Sequence, residues 1–222
     1  MDVITENLMA TLRRDPMDRT AVEQLRAHLK RTGDMATLAS CLGEWAAISR
    51  DDGAAAEALF EAACIYGQNP NTAASVRQTL EQAMERNPAH GAAFAHLREL
   101  LEQQSDHAAL VQTMDRYARV LVEIEGDSIE IARLHIELGN LWRHRFQRPD
   151  RAVAHYRYAF DFDGTQRGAL AAAREIFVEA SNWEQVAKLL IIEGESYANP
   201  QKKGPLLLEL AELYENRLGD ST

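Results

Sequence analysis

The sequence predicts an all-α fold, a right-handed superhelix of about twelve antiparallel helices stacked as hairpins. Alanine, leucine, glutamate and arginine dominate the 222 residues, Gly totals 12 and Pro 6, and no long β-branched run stands out. That composition favours helix throughout. Apolar residues recur at helical spacing between short polar breaks, and the same ordered set of positions returns after 72 or 76 residues. A two-helix hairpin leaves one face unburied, so such a chain gains its core by stacking each hairpin on the next.

Residues 3 to 14 place Ile4, Leu8 and Leu12 on one face, and Asp15-Pro16 ends the helix. The second helix runs from about Thr20 to Thr32 with Val22, Leu25 and Leu29 inward, stopping at Gly33, a natural left-handed terminator. Asp34 caps the third, which turns Leu38, Leu42 and Trp45 to the core before Asp51-Asp52-Gly53. The fourth covers about Ala54 to Tyr66, with Leu59, Ala62, Ala63 and Tyr66 inward, and Asn69-Pro70-Asn71 breaks it. The fifth, about Thr72 to Arg86, buries Val76, Leu80, Ala83 and Met84 and ends at Asn87-Pro88.

From Asn87 the cycle restarts. Asp15-Pro16 returns as Asn87-Pro88 and then as Asp163-Gly164. Leu25 and Leu29 return as Leu97 and Leu101 and as Ala173 and Phe177, the turn Gly33-Asp34 as Ser105-Asp106 and Ser181-Asn182, and Tyr66 as Trp142 and Tyr214. The expected organisation is one array over 1–222: a leading helix in 1–15, four-helix units at about 16–88 and 88–164, and an incomplete one over 164–222. Each hairpin spans about 34 to 41 residues.

Ile131 to Gly164 is the clearest copy: Leu138-Gly139 and Trp142 on one helix, Ala152, Tyr156 and Ala159 on the next. This order resembles a tetratricopeptide repeat, as in large bacterial multi-repeat proteins, and the likeness recurs in Ala62-Ala63 with Tyr66 and Leu210-Ala211 with Tyr214. Elsewhere the chain departs from it, with Arg26, Arg98 and Arg174, and Trp45, Tyr117 and Glu193, where the family places small residues. The resemblance implies a protein-binding scaffold with a concave face, to which Arg133, Ile136, Asn140, Arg143 and His144 would contribute. Asn140 stands where such grooves hold a ligand backbone. Arg133 and Arg143 have the geometry to hold a carboxylate, or to pair with Glu130 and Glu137 at helical spacing. The family's clamp for a peptide terminus is not matched by Glu99, Glu102, Gln103, Glu175 or Glu179, which favours a mixed-charge partner. The same register makes Trp142 a groove-filling residue whose truncation costs about 3 to 5 kcal/mol, with Arg143 on the open face.

The net charge of −10 opposes nucleic acid and anionic lipid, and the short basic run Arg143, Arg145, Arg148, Arg151 reads as a solvated helix end. No signal peptide or membrane span is legible, so a cytoplasmic protein with reduced Cys41 and Cys64 is expected. No catalytic motif is present, no cofactor is implied, and the seven scattered histidines show no metal-ligand spacing. Asp161-Phe162-Asp163-Gly164 is read as a repeat-closing turn rather than a calcium loop, which needs glycine where Gln166 stands. The expected function is therefore non-catalytic binding of a peptide or protein. The alternatives are a regulatory or oligomerising portion of a longer polypeptide and an RNA-binding helical repeat. The stretch Leu206 to Leu218 holds more leucine than one inner face can bury, which predicts self-association through the last helix or further repeats beyond it.

Overall fold

The computed structural model describes residues 1–219, and among them twelve α-helices and no strand are found. In chain order they are α1 (Val3–Arg14), α2 (Arg19–Thr32), α3 (Met35–Ile48), α4 (Asp52–Tyr66), α5 (Ala73–Arg86), α6 (Gly91–Gln103) and α7 (His107–Glu123). Then follow α8 (Ser128–His144), α9 (Pro149–Phe162), α10 (Arg167–Glu179), α11 (Trp183–Glu195) and α12 (Pro200–Leu213). A 3₁₀ turn over Pro70–Thr72 leads into α5, and one π-helical turn over Tyr214–Leu218 follows α12.

The breaks between helices are chemically specified and repeat in detail. Asp15, Asn87 and Asp163 close their helices with nearly one conformation, φ −132°, −134° and −138° with ψ 91°, 93° and 96°. In each, the side-chain Oδ1 accepts the N–H two residues on, from Met17 at 3.1 Å, Ala89 at 3.1 Å and Thr165 at 3.0 Å. Short Asp and Asn side chains favour such turns because they reach their own backbone. Asp163 is thus the turn that the sequence predicted. Its carboxyl is held below the usual range by hydrogen bonds from Gln166 and Thr165.

A second turn also recurs. Gly33, Ser105 and Ser181 take positive φ (74°, 54° and 53°). The following N–H of Asp34, Asp106 and Asn182 returns to the carbonyl of Leu29, Leu101 and Phe177 at 3.1, 3.0 and 2.8 Å. The same three side chains then cap the next helix, accepting from Thr37, Ala109 and Gln185. One residue thus ends one helix and starts another.

The chain forms two compact units, Met1–Thr113 and Met114–Thr222, the division falling within α7. In the first, Met9 and Leu12 of α1, Leu25 and Leu29 of α2, and Leu38, Leu42 and Trp45 of α3 make a continuous apolar cluster with Ala58 and Ala62 of α4. In the second, Tyr156 is the central large residue, surrounded by Ala132, Ala152, Ala159, Leu170, Ala173, Ile176 and Leu189. A smaller cluster of Val186, Ala187, Leu190 and Leu213 joins α11 to α12.

Two expectations about faces are corrected. In α1 the buried stripe is Thr5, Met9 and Leu12, whereas Ile4 is exposed and Leu8 only half-buried. Spacing of 4 then 3 keeps a stripe straight along a 3.6-residue helix, while 4 then 4 drifts off it. Trp142 is also only half-buried, as are Tyr66 and Tyr214 at the matching positions. These aromatics lie at the margin of their clusters rather than inside them.

Candidate functional site

The α8–α9 hairpin positions the residues that matter. Gly139 is required there: a Cβ would lie 2.5 Å from Tyr156 Cε1 and 2.7 Å from Cδ1. With the glycine, α8 approaches closely enough for the buried Tyr156 ring to fill the space beneath it and for its hydroxyl to donate to Asn140 Oδ1 at 2.7 Å. A small residue on the first helix seats an aromatic of the second. The packing is tetratricopeptide-like.

Of the residues expected on the binding face, Arg133, Asn140 and His144 are exposed, and Ile136 is half-buried against the core of the second unit. The structure brings Asn140, Tyr156 and Arg143 together. Arg143 is not the free cation of the open face, nor does its ion pair lie along its own helix. It reaches α10, donating to Glu175 Oε2 at 3.0 Å and Glu179 Oε1 at 2.7 Å. Arg174 repeats the move from α10 to α12, with Nη1 3.1 Å from Glu209 Oε2. In the first unit Arg26 of α2 does so with Glu61 of α4 at 2.8 Å. The separations of 32 and 36, 35, and 35 residues are all close to one hairpin, the first falling about half a turn short of it. Arg26 and Arg174, where the motif has a small residue, therefore tie successive first helices together. An arginine followed one hairpin later by glutamate was the signal available for Glu175, Glu179 and Glu209.

Burial within these pairs is unequal. The Arg143 and Arg174 side chains are 17% and 18% exposed, but Glu175, Glu179 and Glu209 are 66%, 67% and 52% exposed. The cations lie beneath and the carboxylates face water. Arg174 also approaches Glu193 of α11 at 3.7 Å, an ion-pair distance too long for a hydrogen bond. Burial raises the Glu193 carboxyl above its ordinary range, with Arg174 opposing. The other large residues at small-residue positions also find polar partners. Trp45 Nε1–H donates to the Pro16 carbonyl at 2.9 Å, and Tyr117 interacts with Glu130.

The basic run is not a patch. Arg148 pairs with Asp150 at 2.9 Å, and Arg151 lies 4.4 Å from the Trp142 ring centroid. Two histidines that look scattered in sequence do meet: His135 Nδ1 and His155 Nδ1 are 3.0 Å apart, with Phe162 stacked on His135 at 5.8 Å. Desolvation, then the neighbouring His155, pushes His135 down to about 4. Burial lowers His155 as well. Among the described residues no group of three metal-ligating side chains forms, and no helix is long and apolar enough to cross a membrane. Cys41 is buried and Cys64 half-buried, both as free thiols raised in pKa by burial.

No protein-family model and no curated protein matches the chain. Among solved structures it is similar to PilF of Pseudomonas aeruginosa, at 14% identity and TM-score 0.41 over 90% of this chain and 85% of that one. It is similar to YrrB, described as a TPR protein with an unusual peptide-binding site, at 13% identity and TM-score 0.42 over 92% and 97%. A human IFIT1 dimer with PPP-AAAA is similar at 14% identity and TM-score 0.47 over 95% of this chain and 52% of that one.

Proposed function

We propose that this chain is a non-catalytic protein-interaction scaffold, and that the face formed by α8, α10 and α12 takes a basic segment of a protein partner. The observation that carries the reading is the layering of charge, with Arg143 and Arg174 covered and Glu175, Glu179 and Glu209 outward. Cations arriving from solvent meet carboxylates first. Exposed Asn140 beside them keeps its side-chain N–H₂ available to a ligand carbonyl, its Oδ1 being taken by Tyr156. This replaces the mixed-charge partner read from sequence with a basic one, and outward carboxylates disfavour a phosphate backbone. The polar groups gathered here are engaged with one another, which supports binding rather than catalysis. The test is titration of ¹⁵N-labelled protein with the peptide acetyl-KKLLKK-amide. Shifts should centre on Asn140, Arg143 and residues 175–179, weaken as salt rises from about 50 to 300 mM, and fall at least about fivefold in Glu175→Gln/Glu179→Gln. Unchanged binding by that variant refutes the reading.

A second observation favours self-association. Leu207 and Leu208 are 48% and 63% exposed on α12, an apolar pair suited to a covering chain. Light scattering over a concentration series should show mass rising in the native protein and not in Leu207→Glu/Leu208→Glu.

A further inference from the structure

The second helices of the unit Met114–Thr222 carry a feature of opposite character. Between α9 and α11 lies a groove of about 290 Å³ lined by Arg157, Gln185, Lys188, Leu189, Ile191 and Ile192. Gln185, Lys188, Leu189 and Ile192 follow i, i+3, i+4, i+7 and so share one face of α11, while Arg157 comes from α9. Leu189 belongs to the buried cluster and Ile192 packs on it, whereas Ile191 is exposed at the side. The floor is aliphatic.

Its charges are uncommitted. Among the described residues Arg157 and Lys188 make no hydrogen bond or ion pair, although Asp161 lies four residues after Arg157 and Glu184 four before Lys188. Other inter-helix arginines of the unit are engaged: Arg143 and Arg174 with glutamates, and Arg167 with Ser196 at 2.9 and 2.8 Å. In a chain of net charge −10, two open cations beside an aliphatic floor form a local positive spot. Screening over about 8 Å at physiological salt removes the carboxylates of α8, α10 and α12 from the balance, and Asp161 and Glu184, one turn away, are not paired with the two cations.

We infer that the α9–α11 groove is a second protein-binding site, whose ligand is an acidic aliphatic segment of a partner. One leucine or isoleucine side chain sits on Leu189 and Ile192, and its flanking carboxylates reach Arg157 and Lys188. The volume is at the small end for a ligand pocket, roughly 300 to 1,000 Å³ in general, which suits one aliphatic side chain and its neighbours rather than a cofactor. A carboxylate supplies what the guanidinium needs, because the planar fork donates to both of its oxygens at once.

The experiment titrates ¹⁵N-labelled full chain with acetyl-EELLEE-amide and, separately, with acetyl-KKLLKK-amide. The acidic peptide is expected to shift Arg157 and residues 185–192, and Arg157→Glu/Lys188→Glu to weaken it at least tenfold while circular dichroism and thermal midpoint stay unchanged. Both cations are exposed, so the variant keeps the fold. Ile191→Ser should weaken it about threefold, a loss that a purely ionic site would not show. The inference is overturned if the acidic peptide shifts α8 and α10 instead, if the lysine peptide binds the groove equally well, or if the charge-reversed variant binds unchanged. It is also overturned if shifts at 185–192 depend on protein concentration alone, since the occupant is then a second copy. Failure of the lysine peptide at α8 and α10 bears only on the first site.

Discussion

Two tryptophans occupy comparable hairpins and meet different fates. Trp45, at a position where the repeat motif has a small residue, is buried and its indole N–H is satisfied by the Pro16 carbonyl. Trp142, at the position where the motif places a groove-filling aromatic, is half-buried, with Phe146 at 4.9 Å and Arg151 at 4.4 Å from its ring. Motif position therefore does not decide burial. What decides it is whether a neighbouring element closes over the ring: Trp45 is enclosed with Leu12, Leu25 and Leu42, while Trp142 is roofed by one long cation.

The largest expected effect is on Trp45→Ala, which removes a buried ring and strands the Pro16 carbonyl, at about 4 kcal/mol by urea denaturation. If Trp142→Ala costs as much, the contrast fails. Next comes Gly139→Ala, about 3 kcal/mol. The added Cβ meets a ring that is buried and held by Asn140, so the clash outweighs the roughly 1 kcal/mol gained by replacing helical glycine. In a Tyr156→Leu background, itself destabilised, the same Cβ should cost much less, because the ring it meets is gone. Trp142→Ala follows at about 2 kcal/mol, half the cost of full aromatic truncation, and Arg151→Ala should reproduce a small part of it.

The fourth test uses pH. His135 is depressed to about 4, so the unfolded chain binds its proton first, and stability is complete above the ordinary histidine range and falls as pH drops toward 4. His155 adds in the same direction. Asp115 opposes the shift of both histidines, and Arg151 adds to that of His155. Between pH 7.5 and 5.5 the expected loss is about 1 kcal/mol, and His135→Phe should flatten that slope. A slope unchanged in the variant removes the pair from the account. The smallest effect is on Arg143→Ala, below about 1 kcal/mol because its partners are two-thirds exposed; a double-mutant cycle with Glu175→Gln measures it.

Helix positions and turns were legible because they depend on neighbours within a few residues. Asp15, Asn87 and Asp163 close helices by bonding to their own backbone, and Gly33 differs from Ser105 and Ser181 in identity but shares their φ sign. The stripe of α1 was misjudged because rotating a helix by one residue leaves nearly as good a pattern, Ile4-Leu8 against Thr5-Met9. Arg143 with Glu175, and His135 with His155, required knowing which face of one helix turns toward another, and local periodicity does not contain that. The α9–α11 groove was hidden for the same reason: Gln185, Lys188 and Leu189 read as an ordinary amphipathic helix until Arg157 stands across from them.

The three Asx turns also have an engineering consequence. At Asp15, Asn87 and Asp163 the backbone passes through one conformation, with the same side-chain-to-backbone bond. A genetic splice placed at any two of them joins backbone ends whose turn geometry already matches, so a duplication of the segment from 87 to 162 leaves the turn itself unaltered and tests only the helix packing across the new junction. The chain carries its own cut points.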